Sequence, residues 1–304
     1  MKKEARLHEN NQSQKLNYRL HTKIFHVQDY NLDLTLDSGQ TFRWQKINGG
    51  WEGVVSKKWV RLEHHPEGLK AAVCEKINNW TWLEDYLQIK ADIKKIIHSF
   101  PEDEHMNQAI KTCRGLRIVK QEPWECLATF LMSSSKQIVQ IKQIIHNLCE
   151  QFGEPISSPN PALQRAFPEP TAIAAASETE LRACKMGFRA TYLKNTAQII
   201  SDSKINLSEL TRLPLEQARN NLLSLPGVGP KIANCVLLFS LGFMRAFPVD
   251  VWVKKVLQTC YNKPETLSKI EIEKFIDGYF GEYAGYAQQY LFHFIRIKNN
   301  RVKI

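Results

Sequence analysis

Residues 214–257, PLEQARNNLLSLPGVGPKIANCVLLFSLGFMRAFPVDVWVKKVL, leave the chain little freedom. Leu215 to Leu225 predicts a helix, with Leu222, Leu223 and Leu225 apolar and Glu216 in its first turn. Pro226-Gly227-Val228-Gly229 must break it, because proline lacks an amide hydrogen and glycine tolerates positive φ. Pro230 suits the first position of a second helix. That helix, Lys231 to about Leu241, is apolar almost all round and is therefore expected to be buried. The amides of Gly227, Val228 and Gly229, with the free N–H groups of the new helix, form an anion site that little side chain obstructs. Lys231 and Cys235 share one helical face. Asp250 follows Phe247-Pro248-Val249 and precedes the apolar Val251, Val253, Val256 and Leu257, the place of a helix N-cap.

An anion-binding hairpin gains meaning from the charge balance. Forty-one Lys+Arg against 31 Asp+Glu give +10 and a pI near 9.2, which favours a polyanionic partner, nucleic acid above all. A merely basic enzyme would share that balance. The seven cysteines (74, 113, 126, 149, 184, 235 and 260) form no C-x-x-C pair, so no zinc or cluster spacing is present and reduced, largely buried thiols are expected. No cofactor or metal is demanded. The first twenty residues are charged without an apolar h-region, so no signal peptide is expected. With no long apolar run, no membrane partner is expected either.

Residues 1–20 read as a polar tail. From Lys23 to Glu75 the pattern is that of short strands: Leu32 to Leu36 in alternation, Phe42 to Trp44, Trp51 to Val55, Trp59 to Leu62 and Leu69 to Val73, with turns at Gly49-Gly50 and Ser56-Lys57-Lys58. After Trp80 helical spacing takes over, in 82–89, 91–100, 103–113, 124–132, 136–152, 172–176, 178–186 and 189–201. A last helix runs from Gly281 to about Ile297. The expected class is α+β: an antiparallel sheet domain with connecting helices over 21–112, packed on a larger helical domain over 113–304.

The order of hairpin, lysine and downstream Pro-Val-Asp resembles the helix-hairpin-helix DNA glycosylases that carry a catalytic lysine. The likeness extends beyond the hairpin. Ser38-Gly39-Gln40-Thr41-Phe42-Arg43-Trp44, Gly115-Leu116-Arg117, Pro123-Trp124-Glu125-Cys126-Leu127, Gly187-Phe188-Arg189-Ala190 and Tyr283-Ala284-Gly285-Tyr286-Ala287-Gln288 are similar to segments of the 8-oxoguanine DNA glycosylases. Any one of these motifs is weak; together they span about Leu32 to Arg296.

What that resemblance implies is specific. Lys231 would attack C1′ of the damaged nucleotide and form a Schiff base, with Asp250 polarising the site. Cys235 and Phe292 would sandwich the flipped base, Gln288 would bond its Watson–Crick edge, and the Gly39 carbonyl would accept the proton that 8-oxoguanine carries at N7. Arg189 would reach the base left opposite, and Ser135 with Gly227, Val228 and Gly229 would contact the duplex. The partner would be double-stranded DNA containing 8-oxoguanine, bound by a monomer in the cytoplasm of a bacterium or the nucleus of a eukaryote.

The residues by themselves admit plainer readings: a capping Asp250, core Cys235 and Phe292, a surface Arg189, a turn glycine at 39. To attack, Lys231 must lose its proton, which burial and a helix N-terminus favour and Asp250 opposes; sequence leaves that balance open. Gln288 and Phe292 lie one helical turn apart, placing an amide and a ring on one face.

Departures from the family pattern matter equally. Ser135-Lys136-Gln137 stands where many members carry asparagines, Gln140 where better-known ones carry an arginine, and Trp252 where they carry a histidine. A relaxed preference for the opposite base is expected. A monofunctional alkylated-purine glycosylase, which needs no lysine, and a non-enzymatic DNA-binding module are the competing readings. An endonuclease-III-like protein is disfavoured, since no four-cysteine cluster occurs near the C-terminus.

Overall fold

Alternation in the N-terminal third does build a sheet. In the computed structural model, which describes residues 18–133, 136–262, 264 and 268–299, β1 (His21–His26), β2 (Gln45–Ile47), β3 (Gly50–Val55), β4 (Lys58–His65) and β5 (Gly68–Val73) form one antiparallel sheet in the order β1-β5-β4-β3-β2. The β3–β4 pairing is closed by Ser56 and Lys57, both at positive φ (47° and 63°), with Val55 opposite Lys58, the two-residue hairpin geometry that matches strand twist. The polar tail falls almost wholly outside the described residues.

Leu32 to Leu36 is not a strand. It is a short helix, α1 (Leu32–Leu36), started by the Asn31 side chain accepting from the Leu34 amide at 3.0 Å. Alternating leucines suit either structure at this length, and packing decides. Leu32 and Leu36, one turn apart, enter the sheet core, while Leu34 on the far side enters the helical core. Phe42 to Trp44 is likewise not a strand: the chain bends at Phe42 and Arg43, Phe42 serves the helical core and Trp44 the sheet core, so this stretch crosses between units and the ladder begins only at Gln45.

The helices follow: α2 (Thr81–Leu87), α3 (Ile93–His98), α4 (Glu104–Thr112), α5 (Pro123–Ser133), α6 (Ile138–Phe152), α7 (Pro170–Ala175), α8 (Glu178–Leu181), α9 (Arg189–Ser201), α10 (Leu215–Leu223), α11 (Pro230–Phe239), α12 (Val251–Tyr261), α13 (Lys269–Phe280) and α14 (Ala284–Lys298). Their core is continuous, from Ile93 and Met106 through Leu127 and Leu237 to Tyr290. Helix α13 has no counterpart in the sequence reading. Its signal was present: Ser268 and Glu271 form a capping box, the local start signature of a helix. No helix among the described residues is long and apolar enough to cross a membrane.

The segment Ser38-Gly39-Gln40 is where the two units are fastened. Gln40 is fully buried; its amide nitrogen donates to Thr35 O at 2.9 Å and Arg117 O at 2.8 Å, and its side-chain oxygen accepts from the Val119 amide at 2.8 Å. Gln121 Nε2 donates to the Gln40 carbonyl at 2.8 Å, and Gln289 Nε2 of α14 donates to the Ser38 carbonyl at 3.2 Å. Buried polar groups are tolerated only when satisfied in this way. The Gly39 carbonyl between them meets no donor among the described residues.

Candidate active site

Helices α10 and α11 are joined as the glycines require. Gly227 sits at φ +76°, and a Cβ there would lie 2.7 Å from the Tyr192 ring of α9. Gly229 caps α11 in an extended conformation, and a Cβ on it would meet nothing within 4 Å. The hairpin is therefore open beside Gly229, but the Val228 amide, expected to share the anion site, is already spent on the Leu225 carbonyl at 3.1 Å, and Val228 is buried. Lys231, in the first turn of α11, is half-buried. Its Nζ donates to Ser133 Oγ at 3.1 Å and stands 5.0 Å from the centroid of the Phe130 ring, both on α5. No ion pair joins it to Asp250 among the described residues.

Asp250 caps α12, its Oδ1 accepting from the amides of Trp252 at 3.0 Å and Val253 at 2.8 Å. Charged-acceptor bonds of this kind are the strong ones, and they fix where the carboxylate stands. Cys235, one turn beyond Lys231, is 2% exposed. Burial pushes its thiol up to about 11, with the Lys231 cation opposing the shift and the Asp250 carboxylate adding to it. Thiol, amine and carboxylate thus lie within electrostatic reach of one another.

The second half of the site is α14 against the Gly39 turn. Gly39 has φ +83°, and a Cβ added to it would lie 3.6 Å from Phe292 Cε1 and 3.1 Å from Arg296 Nη1. Gln288 is 4% exposed and its amide oxygen is buried without a hydrogen-bond partner among the described residues. Burial shifts the Arg296 guanidinium downward, while Asp37 and Asp250 act the other way. Since Asp37 belongs to the sheet side and Asp250 to the α12 side, Arg296 links the halves into one site.

Helix α14 is seated by close approach. A Cβ on Gly285 would lie 2.3 Å from Leu238 Cδ1 of α11 and 2.5 Å from the Ala246 carbonyl oxygen. Next to Phe292, the imidazole of His293 is 1% exposed, and burial together with Arg296 pushes its pKa from 6.5 down to about 4. The folded protein therefore carries a neutral imidazole where the unfolded chain takes up a proton, and stability should fall as pH drops from about 6.5 to about 4. A melting-temperature series over that range should be steeper for the native chain than for His293→Gln.

Arg189 is not a surface arginine. It is 7% exposed, at the start of α9, with its guanidinium 4.5 Å from the Phe188 ring; Phe188 itself is 61% exposed. This cluster adjoins the hairpin through the Tyr192–Gly227 contact. Gln140 Oε1 accepts from the Gln137 amide at 3.0 Å, at the start of α6. Ser135 lies outside the described residues. The sequence reading missed Ser133 and Phe130, which hold Lys231, Gln289, which holds the Gly39 turn, and Arg296. None of these carries a local signal, because each acts on a residue far along the chain.

A glycine hairpin, a lysine at the head of its buried second helix and a capping aspartate on the next helix define a helix-hairpin-helix base-excision repair protein. Family models agree along the chain: "8-oxoguanine DNA glycosylase, N-terminal domain" matches residues 24–127, and "HhH-GPD superfamily base excision DNA repair protein" matches 128–280. The chain belongs to the 8-oxoguanine DNA glycosylase family. The N-glycosylase/DNA lyase OGG1 of Arabidopsis thaliana is 30% identical over 289 residues, covering 89% of this chain and 78% of its own. MBOgg1, solved with a low-affinity DNA ligand, is 32% identical with a TM-score of 0.85, covering 93% of this chain and 100% of that one. The Clostridium acetobutylicum 8-oxoguanine glycosylase/lyase, solved with DNA containing cytosine opposite 8-oxoG, is 29% identical with a TM-score of 0.84, covering 92% and 98%.

Proposed function

We propose that this chain is a bifunctional DNA glycosylase and abasic-site lyase that removes 8-oxoguanine from duplex DNA, with Lys231 as its nucleophile. The observation that carries the assignment of Lys231 is its setting: an amine held by a hydroxyl and a ring face, free of any carboxylate pair among the described residues, beside a buried thiol and a fixed aspartate. The damaged nucleotide must leave the stack, at about a few kcal/mol. Neutral Lys231 Nζ bonds to C1′ as the C1′–N9 electron pair departs with the base, and the proton shed by the new ammonium goes to the leaving purine. Asp250 stabilises the positive charge that builds on the sugar. Ring opening then gives the imine, and loss of a C2′ proton expels the 3′ phosphate.

Recognition is assigned to α14 and the Gly39 turn. The Gly39 carbonyl accepts from N7–H, which guanine lacks; Gln288 bonds the Watson–Crick edge; Phe292 and Cys235 cover the two faces. Arg189 serves the opposite strand. Gln140 is spent on capping α6, so excision opposite the four bases should differ little. Action as a monomer, in the cytoplasm or the nucleus according to source, is part of the same proposal.

The amides of Gly227 and Gly229 are assigned to a DNA phosphate, and the two glycines separate fold from binding. Gly227→Ala should cost about 1–3 kcal/mol, since left-handed backbone and the Tyr192 ring both resist a methyl. Gly229→Ala should stay within about 0.5 kcal/mol in urea unfolding, yet weaken duplex binding, which anisotropy titration would measure. The test of the whole reading is borohydride trapping. A covalent complex should form on 8-oxoguanine duplex and on a preformed abasic site, and none on undamaged duplex. Release of the base with an intact strand and no trapped complex would favour the monofunctional reading instead.

A further inference from the structure

We infer that Arg296 is a second lesion-reading residue, donating a hydrogen bond to a carbonyl oxygen that flanks N7–H of the flipped purine; this rests on the base pocket proposed above. Arg296 is 8% exposed, and its Nη1 is buried without a partner among the described residues. A guanidinium stays charged in proteins, and an unsatisfied buried donor is costly. Such a group is stable only where something supplies an acceptor or where nearby charge compensates. Asp37 and Asp250 give the second at longer range, but neither is within ion-pairing distance. The first is left to a ligand.

Position says which ligand atom. Gln288, Phe292 and Arg296 follow at successive helical turns along one face of α14. The Arg296 guanidinium carbon is 5.4 Å from the Phe292 ring centroid, and Nη1 is 3.1 Å from where a Cβ on Gly39 would stand. An N–H donor therefore stands beside the carbonyl acceptor of Gly39. That acceptor–donor pair matches a donor flanked by acceptors, which is the N7–H of 8-oxoguanine between its O6 and O8. Guanine offers two acceptors there, N7 and O6, and cannot satisfy both groups together. Reading the edge twice makes the mismatch with guanine larger than the Gly39 contact alone provides.

The experiment compares the native chain with Arg296→Leu and Arg296→Lys. Single-turnover release of 8-oxoguanine should fall about 10- to 100-fold in Arg296→Leu, the scale of one hydrogen bond to a charged group, and less in Arg296→Lys. Borohydride trapping on a preformed abasic duplex, where no base remains to be held, should change less than about 3-fold. Equal loss in both assays, or no loss on 8-oxoguanine, would overturn the inference. If the native chain itself released no 8-oxoguanine, the broader reading would fail, and that outcome is visible in the first lane. A second arm identifies the oxygen, using Lys231→Gln with and without Arg296→Leu and binding to duplexes carrying 8-oxoguanine or 8-oxoadenine. Weakened binding to both assigns O8; weakened binding to 8-oxoguanine alone assigns O6; unchanged binding to both counts against any role in reading the base.

Discussion

Lys231→Gln should lower single-turnover base release on the order of 10⁴-fold or more, the scale seen when an enzyme loses the atom that attacks. Glutamine keeps most of the length and can still donate to Ser133 Oγ, so the helix start and the α5 contact should persist. Duplex affinity should change little, because the amides of Gly227 and Gly229 proposed to hold a phosphate are backbone groups. The loss would therefore sit in the chemical step. Borohydride trapping would vanish, while gel-shift binding of 8-oxoguanine duplex would remain. A variant retaining a tenth of native excision would show that water, steered by Asp250, does the work that is assigned to the amine.

Gly285→Ala should produce a large stability loss for a small chemical change. The added methyl meets the Ala246 carbonyl oxygen at 2.5 Å and Leu238 Cδ1 at 2.3 Å. A flexible tip such as Leu238 can turn aside, but the carbonyl is backbone, and the Gly285 amide is bonded to Met244 O at 2.8 Å. Overpacking of this kind costs about 1–3 kcal/mol. Its more telling effect is on position. Helix α14 must move away from α11, carrying Gln288 and Phe292 away from Lys231 and Cys235. Urea unfolding should register the first effect, and excision of 8-oxoguanine should drop further than abasic-site trapping from the second. Native-like stability in this variant would mean that α14 is not seated as described.

How much of this was legible beforehand depends on whether the cause is local. The hairpin, Lys231 in the first turn of α11 and Asp250 as a cap follow from residues adjacent in sequence, and α9 runs from Arg189 to Ser201 as its spacing implies. Leu32 to Leu36 misled because alternation is ambiguous over so few residues, and two cores on opposite sides decided for a helix. Helix α13 has only its Ser268–Glu271 capping box as a local start signal. The pocket was the hardest part. Gly39 and Arg296 meet across almost the whole chain, and only folding reveals that Gln289 clasps the Ser38 carbonyl beside them.

One part of the proposed reader sits on a different piece of the molecule from the reagent. Gly39 hangs from the unit that contains the sheet, Lys231 from the bundle, and the amides of Gln40, Gln121 and Gln289 stitch the seam between them. Damage to the sheet core, such as a truncated Trp44, would then blur which bases are accepted before it slowed bond breaking. On this assignment fidelity is a property of a joint, and it should soften earlier than catalysis as the protein warms.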